Sequence, residues 1–378
     1  MRKNSIDAMC RNPNSLRHSV RTIAAVITFM VMAAFAALSQ TKPAGAQTMP
    51  AGKPAEGQTQ APGRPIMAVG YVESFRQTVP DANMFTHLIY AHAGFNEDCD
   101  GLEIPNLAKL KQLTGLKKEN PALKVEISVA SSRRDGFSEM AADRKKRKAF
   151  AASVRAVLDS LNLDGVNLDW EFPGTENGGH TATPADRGNY VKVVKDIRKA
   201  IGKKKEISFY SFNTGDYIDF KGMVPYVDHV YVSGYNLSVP QEGKPAWHQS
   251  PLYPSAKLGE WSVSGAVERH LGLGVPREKL LIGIPFYGRG KSPFPSYVAC
   301  SAFARYADGL QQLWNDEAKA PYYADKDGNL VLGYDDERSI AAKIDFIREN
   351  GLPGLFVWNY DTDYADHRLG RTIERLRK

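Results

Sequence analysis

Residues 164 to 173 read Asp-Gly-Val-Asn-Leu-Asp-Trp-Glu-Phe-Pro, so Asn167, Asp169 and Glu171 alternate with Val166, Leu168 and Trp170. In an extended strand successive side chains point to opposite faces, which puts the amide and both carboxylates on one side and the apolar residues on the other. Two carboxylates crowded into a buried place cannot ionise alike. One is pushed to stay protonated and the other serves as base or anionic stabiliser. That combination is suited to proton transfer on a substrate oxygen. Glu171, last in the row, is the expected proton donor, with Asp169 as its partner. A solvent-exposed edge strand would show the same alternation, but it requires an antiparallel sheet that the rest of the chain does not suggest.

The elements that must hold this strand follow from periodicity. Eight short β-rich runs recur, at Ile66–Tyr71, Thr86–Ala93, Lys124–Val129, Gly165–Trp170, Ile207–Ser211, His229–Tyr235, Leu280–Phe286 and Gly354–Asn359. Helical spacing fills stretches between them, at Leu107–Lys118, Arg144–Leu161, Pro184–Ile201, Ser264–Leu273, Glu337–Glu349 and Arg368–Leu376. Near-continuous apolar strands alternating with amphipathic helices predict an α/β fold with a parallel sheet covered on both faces, and eight such units predict a (β/α)8 TIM barrel. Asn167, Asp169 and Glu171 would then point into the lumen, with Glu171 nearest the C-terminal mouth where barrel enzymes keep their chemistry. The excess between residues 290 and 332 is read as a short insertion after the seventh strand.

With these residues in view, Asp164 to Pro173 resembles the DGxDxDxE signature of family 18 glycoside hydrolases, the chitinase family. Gly70-Tyr71, Thr86 to Ala91, Val232 to Asn236, Gly283 to Arg289, Tyr334 to Asp336 with Ser339 and Lys343, and Gly354 to Trp358 also resemble family segments, in family order. The resemblance is to a secreted, bacterial-type catalytic domain. It implies cleavage of β-1,4-linked N-acetylglucosamine, in chitin or chitooligosaccharides, with retention of configuration and with the substrate's own acetamido oxygen as nucleophile. Glu171 would protonate the leaving oxygen, Asp169 would accept from the acetamido N–H, Tyr235 would donate to the same group, and Trp358 would be the floor under the sugar. Tyr71, Tyr287, Arg289 and Asn236 are further candidates for substrate contact, with packing an equal alternative for each.

Three positions depart from the family pattern. Asn167 stands where Asp is usual, and Asn236 where Asp or Asn occurs. With one carboxylate fewer, Asp169 is expected to titrate lower than in an all-Asp version. Ser128-Val129-Ala130-Ser131 replaces the usual SxGG, and Ser132-Arg133-Arg134 supplies no aromatic platform, which favours short soluble oligomers over crystalline polymer. Enzymes that cut the core of N-linked glycans share the mechanism, peptidoglycan carries the same sugar, and non-catalytic lectins keep the cleft without the acid. Glu171 argues against the last.

The remaining composition narrows the class. The chain has 378 residues and a net charge of +7, of which residues 1–46 carry +5, leaving a nearly neutral body without a polyanion-binding signature. A basic stretch, the apolar run Ile23–Leu38 and Ala44-Gly45-Ala46 read as a signal peptide over 1–46, the run being short for a bilayer-spanning anchor. Residues 47–64 read as a disordered linker and 65–378 as the catalytic domain. The expected product is secreted or periplasmic, monomeric, not membrane-inserted and not bound to nucleic acid. Cys99 and Cys300 allow a disulfide but do not require one. The histidines lack metal-site spacing, so no metal ligand is assigned and no cofactor is implied. Asp143 to Lys148 reads as the charged start of a helix.

Overall fold

The computed structural model describes residues 65–131, 135–176, 180–241, 243–256 and 261–378; the leader and linker assigned to 1–64, and Ser132-Arg133-Arg134, lie outside the described residues. Among the described residues fourteen strands run in chain order: β1 Met67–Glu73, β2 His87–Phe95, β3 Leu102–Glu103, β4 Lys124–Ala130, β5 Gly165–Asp169, β6 Glu206–Ser211, β7 His229–Val232, β8 Leu280–Pro285, β9 Tyr287–Gly290, β10 Val298–Ala299, β11 Gln311–Asn315, β12 Ala320–Ala324, β13 Leu330–Gly333 and β14 Gly354–Trp358. Strands β1, β2, β4, β5, β6, β7, β8 and β14 pair in parallel, and the β1–β2 pairing closes them into a (β/α)8 barrel. These are the eight runs that the sequence predicts. The helices Glu337–Glu349 and Arg368–Leu376 have the predicted bounds, and the other predicted helices differ at their ends by one to three residues. Asp143 caps the helix Arg144–Ser160 through the Lys145 and Lys146 amides at 2.6 and 2.9 Å, so the basic run is the first turn of a helix.

Two apolar layers follow from the alternation along the strands. Val166, Leu168 and Trp170 join the outer layer between barrel and helices, where Trp170 stacks on Phe137 at 5.0 Å. Tyr71, Tyr231, Tyr235, Tyr287 and Phe356 fill the lumen. Between β8 and the helix Glu337–Glu349 the chain forms an antiparallel sheet in the order β10-β9-β13-β12-β11. It begins at Tyr287, earlier than the position 290 read from sequence, because one residue, Phe286, separates the barrel strand from β9.

A buried ion pair ties this sheet to the barrel. Lys343 Nζ donates to both Asp335 oxygens at 2.7 and 2.6 Å and to Ser250 Oγ at 2.6 Å, and both charged side chains are fully buried. Ser250 Oγ in turn donates to the Gly234 carbonyl at 2.5 Å. Gly234 has no room for a side chain: a Cβ there would sit 2.2 Å from the Gly283 carbonyl oxygen. The loop that carries Tyr235 and Asn236 is thus pinned on both sides. Among the described residues no helix is long and apolar enough to cross a membrane. No disulfide joins Cys99 to Cys300, and both are buried.

Candidate active site

The acidic strand places its polar row where alternation requires. Asn167 sits mid-strand in the lumen, fully buried, between its lateral neighbours Ser128 on β4 and Ser208 on β6. Its Oδ1 accepts from Tyr71 Oη and Ser128 Oγ, both at 2.9 Å, and its Nδ2 donates to Ser208 Oγ at 2.9 Å. With two bonds accepted by its oxygen and one donated by its nitrogen, the buried amide is held in a fixed orientation below the groups above it.

Asp169 ends β5, and Glu171 follows two residues later at the C-terminal mouth. Their carboxyls face one another. Burial, then the Asp169 charge and a hydrogen bond to Asp169, hold Glu171 well above the ordinary glutamate range. Asp169 is itself pushed up to about 7 by burial, opposed by its hydrogen bond with Glu171. Desolvation, more than the identity of residue 167, sets these values. The arrangement keeps a proton on Glu171 at neutral pH, as a general acid needs. Beyond Glu171, the buried carboxylate of Asp186 accepts from Ser138 Oγ at 2.8 Å and from the Thr183 amide at 2.9 Å, and so anchors the loop after Pro173.

Tyr235 lies just beyond β7, since the strand ends at Val232 and not at Tyr235 as periodicity predicts. Its phenol is buried and held neutral, first by desolvation and then by Tyr287 and by the charges of Asp169 and Glu171, so it keeps its proton within electrostatic reach of the acid pair. Trp358 ends β14 and is partly exposed. It meets Tyr71 edge-on at 5.4 Å and stacks on His92 at 5.4 Å with 18° between the planes.

The structure therefore brings Asn167, Asp169, Glu171, Tyr235, Trp358 and Tyr71 to one end of the barrel. Tyr287, Arg289 and Asn236 form a neighbouring group. Asn236 adopts a left-handed backbone with φ 55°, tolerable for Asn, and its Oδ1 accepts from Tyr287 Oη at 2.8 Å and Arg289 Nε at 2.6 Å. All three are buried, and their shown contacts shape the wall beside Tyr235. Sequence reasoning missed His92 and the role of Ser128. His92 Nδ1 lies 3.0 Å from Ser128 Oγ and its Nε2 lies 3.8 Å from Asp169 Oδ2. The one trace of it in the sequence is an imidazole interrupting the apolar run that follows His87, two residues before Gly94.

A closed parallel barrel with an acid pair, a tyrosine and an indole at its C-terminal mouth defines a glycosidase class of site. Residues 67–363 match the family of glycosyl hydrolases family 18. Chitinase A1 of Niallia circulans is 29% identical over 308 residues, covering 70% of this chain and 44% of that protein. Chitotriosidase-1 of Mus musculus is 28% identical over 322 residues, covering 75% of this chain and 68% of that one. The solved structure of a glycoside hydrolase family 18 N-acetylglucosaminidase from Paenibacillus barengoltzii superposes with a TM-score of 0.74 at 29% identity, covering 82% of this chain and 99% of that chain. The chain belongs to glycosyl hydrolases family 18. Its relatives include bacterial and animal proteins, so the likeness marks the family and not a bacterial-type branch of it. The chain spans less than half the length of the Niallia relative.

Proposed function

We propose that this protein hydrolyses β-1,4-linked N-acetylglucosamine in soluble chitooligosaccharides, by a retaining route in which the substrate's acetamido oxygen is the nucleophile. The observation that carries the reading is the buried Asp169–Glu171 pair, with Glu171 held protonated and Tyr235 within electrostatic reach of both. Glu171 gives its proton to the leaving glycosidic oxygen and later removes one from water. Asp169 accepts from the acetamido N–H and stabilises the cationic ring that forms when its carbonyl oxygen closes on the anomeric carbon. Tyr235 donates to that carbonyl, and Trp358 offers an apolar face to the sugar. No cofactor is required, since acid and nucleophile are supplied by protein and substrate. The basic and apolar pattern of residues 1–46 supports export of the mature chain.

The test is product release from tri- to hexameric N-acetylglucosamine, set beside a high-mannose glycoprotein. The oligomers are expected to be cut and the glycoprotein spared. Glu171→Gln is expected to lower kcat by roughly a hundredfold to ten-thousandfold while oligomer binding persists. Cleavage of the glycoprotein alone would reassign the substrate, and a fully active Glu171→Gln would remove the proton donor.

A further inference from the structure

We propose that His92 is a positioning residue for Asp169, taking that carboxyl's proton onto Nε2 so that Asp169 can meet the acetamido N–H as a carboxylate. This rests on the hydrolase reading and adds to it a residue outside the acidic strand.

Ser208 Oγ accepts from Asn167 Nδ2 at 2.9 Å and directs its own proton to Glu126 Oε2 at 3.4 Å, which orients the Asn167 amide with Oδ1 toward Tyr71 and Ser128. Ser128 Oγ has one proton and donates it to Asn167 Oδ1 at 2.9 Å. Its contact with His92 Nδ1 at 3.0 Å must then be donated by the ring. A neutral imidazole that carries its proton on Nδ1 leaves Nε2 bare. That bare nitrogen faces Asp169 Oδ2 at 3.8 Å. Two acceptors so placed repel, and a single proton between them converts the contact into an attraction.

The surroundings make this pairing specific. Four groups face the His92 ring: Tyr71 from β1, Ser128 from β4, Asp169 from the β5 end, and Trp358 from β14. Tyr71 is held neutral by burial, and none of the four is a cation. Asn167, below Asp169, has no basic atom. His92 Nε2 is therefore the basic nitrogen aimed at Asp169 from the lumen side. Burial lowers His92 to about 4, so the ring does not charge on its own in the free enzyme, whereas Asp169 is raised to about 7 and holds the proton. When substrate brings its N–H to Asp169, the Asp169 O–H bond breaks and an N–H bond forms at His92 Nε2. The proton returns when product leaves. No atom is gained or lost. Because the same ring stacks on Trp358, the device is braced against the indole expected beneath the sugar.

The test uses the full chain with His92→Phe, which keeps an aromatic ring against Trp358 and removes both nitrogens, and with His92→Gln as a polar control. Both are expected to lower kcat on chitooligosaccharide by about tenfold to a hundredfold, with KM changed by less than about threefold, and to move the acid limb of kcat upward because Asp169 keeps its proton to higher pH. Without substrate, the ¹⁵N resonances of His92 in the wild type should show a protonated Nδ1 and an Nε2 whose shift changes in Asp169→Asn. A wild type that cleaves the oligomers beside His92→Phe with an unmoved pH profile would overturn the proposal and leave the hydrolase reading intact. A wild type inactive on every oligomer would defeat that reading, while the nitrogen shifts would still decide whether His92 and Asp169 share a proton. Nε2 protonated and Nδ1 bare would overturn the proposal directly.

Discussion

The barrel lumen holds two acid–imidazole clusters, one at each end, with similar ingredients and opposite electrostatics. At the mouth stand Asp169, Glu171 and His92. At the floor, His87, Glu126 and Glu206 bring donor atoms within 4.8 Å of one another, and His229 Nε2 lies 3.8 Å from Glu206 Oε2. The floor has a lysine. Lys124 Nζ bonds Glu206 Oε1, and although burial pushes Glu206 upward, His87 and Lys124 outweigh it and hold that carboxyl far below the ordinary range. Glu126 goes the other way, raised well above it by burial and then by Glu206. Each floor acid is settled in one state. Among the described residues the mouth holds no such lysine, and on the proposal above its proton moves among three groups. A serine–asparagine–serine chain, Ser128, Asn167 and Ser208, connects the two ends. The lesson is that burial supplies acids with raised pKa at either end, and the fixed cation decides whether they are structural or reactive.

Substitutions at the floor would break this contrast first. Glu206→Gln removes the anion from Lys124 and His87 and is expected to cost about 1–3 kcal/mol near neutral pH, the partial exposure of Lys124 keeping the loss below that of a fully buried pair. Because the folded value of Glu206 is depressed, its contribution is present above the unfolded glutamate range and is lost progressively as pH falls from there toward the folded value. The wild type and Glu206→Gln should therefore converge in urea melts toward acid pH, and parallel pH–stability curves would contradict the assignment. Glu126→Gln is expected to act more weakly and with opposite sign. A carboxyl whose folded value is raised costs stability once pH passes its unfolded value, so the amide should match the wild type within about 1 kcal/mol at acid pH and gain on it toward alkaline pH. Glu206→Gln should not alter kcat by more than about twofold, because Glu206 does not reach the mouth.

The smallest expected effect sharpens the contrast at the mouth. Asn167→Asp introduces a carboxylate below Asp169, and the acid limb of kcat/KM should move up by less than about one pH unit. Superimposable limbs would mean that residue 167 does not communicate with Asp169.

Much of the fold was legible because each strand buries both faces and so reads as an unbroken apolar run. The candidate acids were legible for a different reason: Asn167, Asp169 and Glu171 occupy one strand, and period-two alternation states which way they point. His92 was not legible. It shares β2 with His87, and nothing in Leu88–Phe95 says that one imidazole would meet Asp169 at the mouth while the other meets Glu206 at the floor. The floor cluster draws single residues from β2, β6 and β7 and two from β4, so no local motif contains it. The short helix Phe137–Ala142 also escaped, since six residues give too little periodicity, although its Phe137 covers Trp170. Boundaries shifted where a functional side chain leaves the ladder, as at Tyr235.

On the proposed route the substrate supplies the nucleophile while Glu171 and Asp169 manage protons around it. This route is tested most directly by following the first product of chitooligosaccharide cleavage by ¹H NMR before mutarotation. The β-anomer is expected at the new reducing end from the earliest spectra. The α-anomer appearing first would contradict it, because direct attack by water would then have inverted the anomeric carbon.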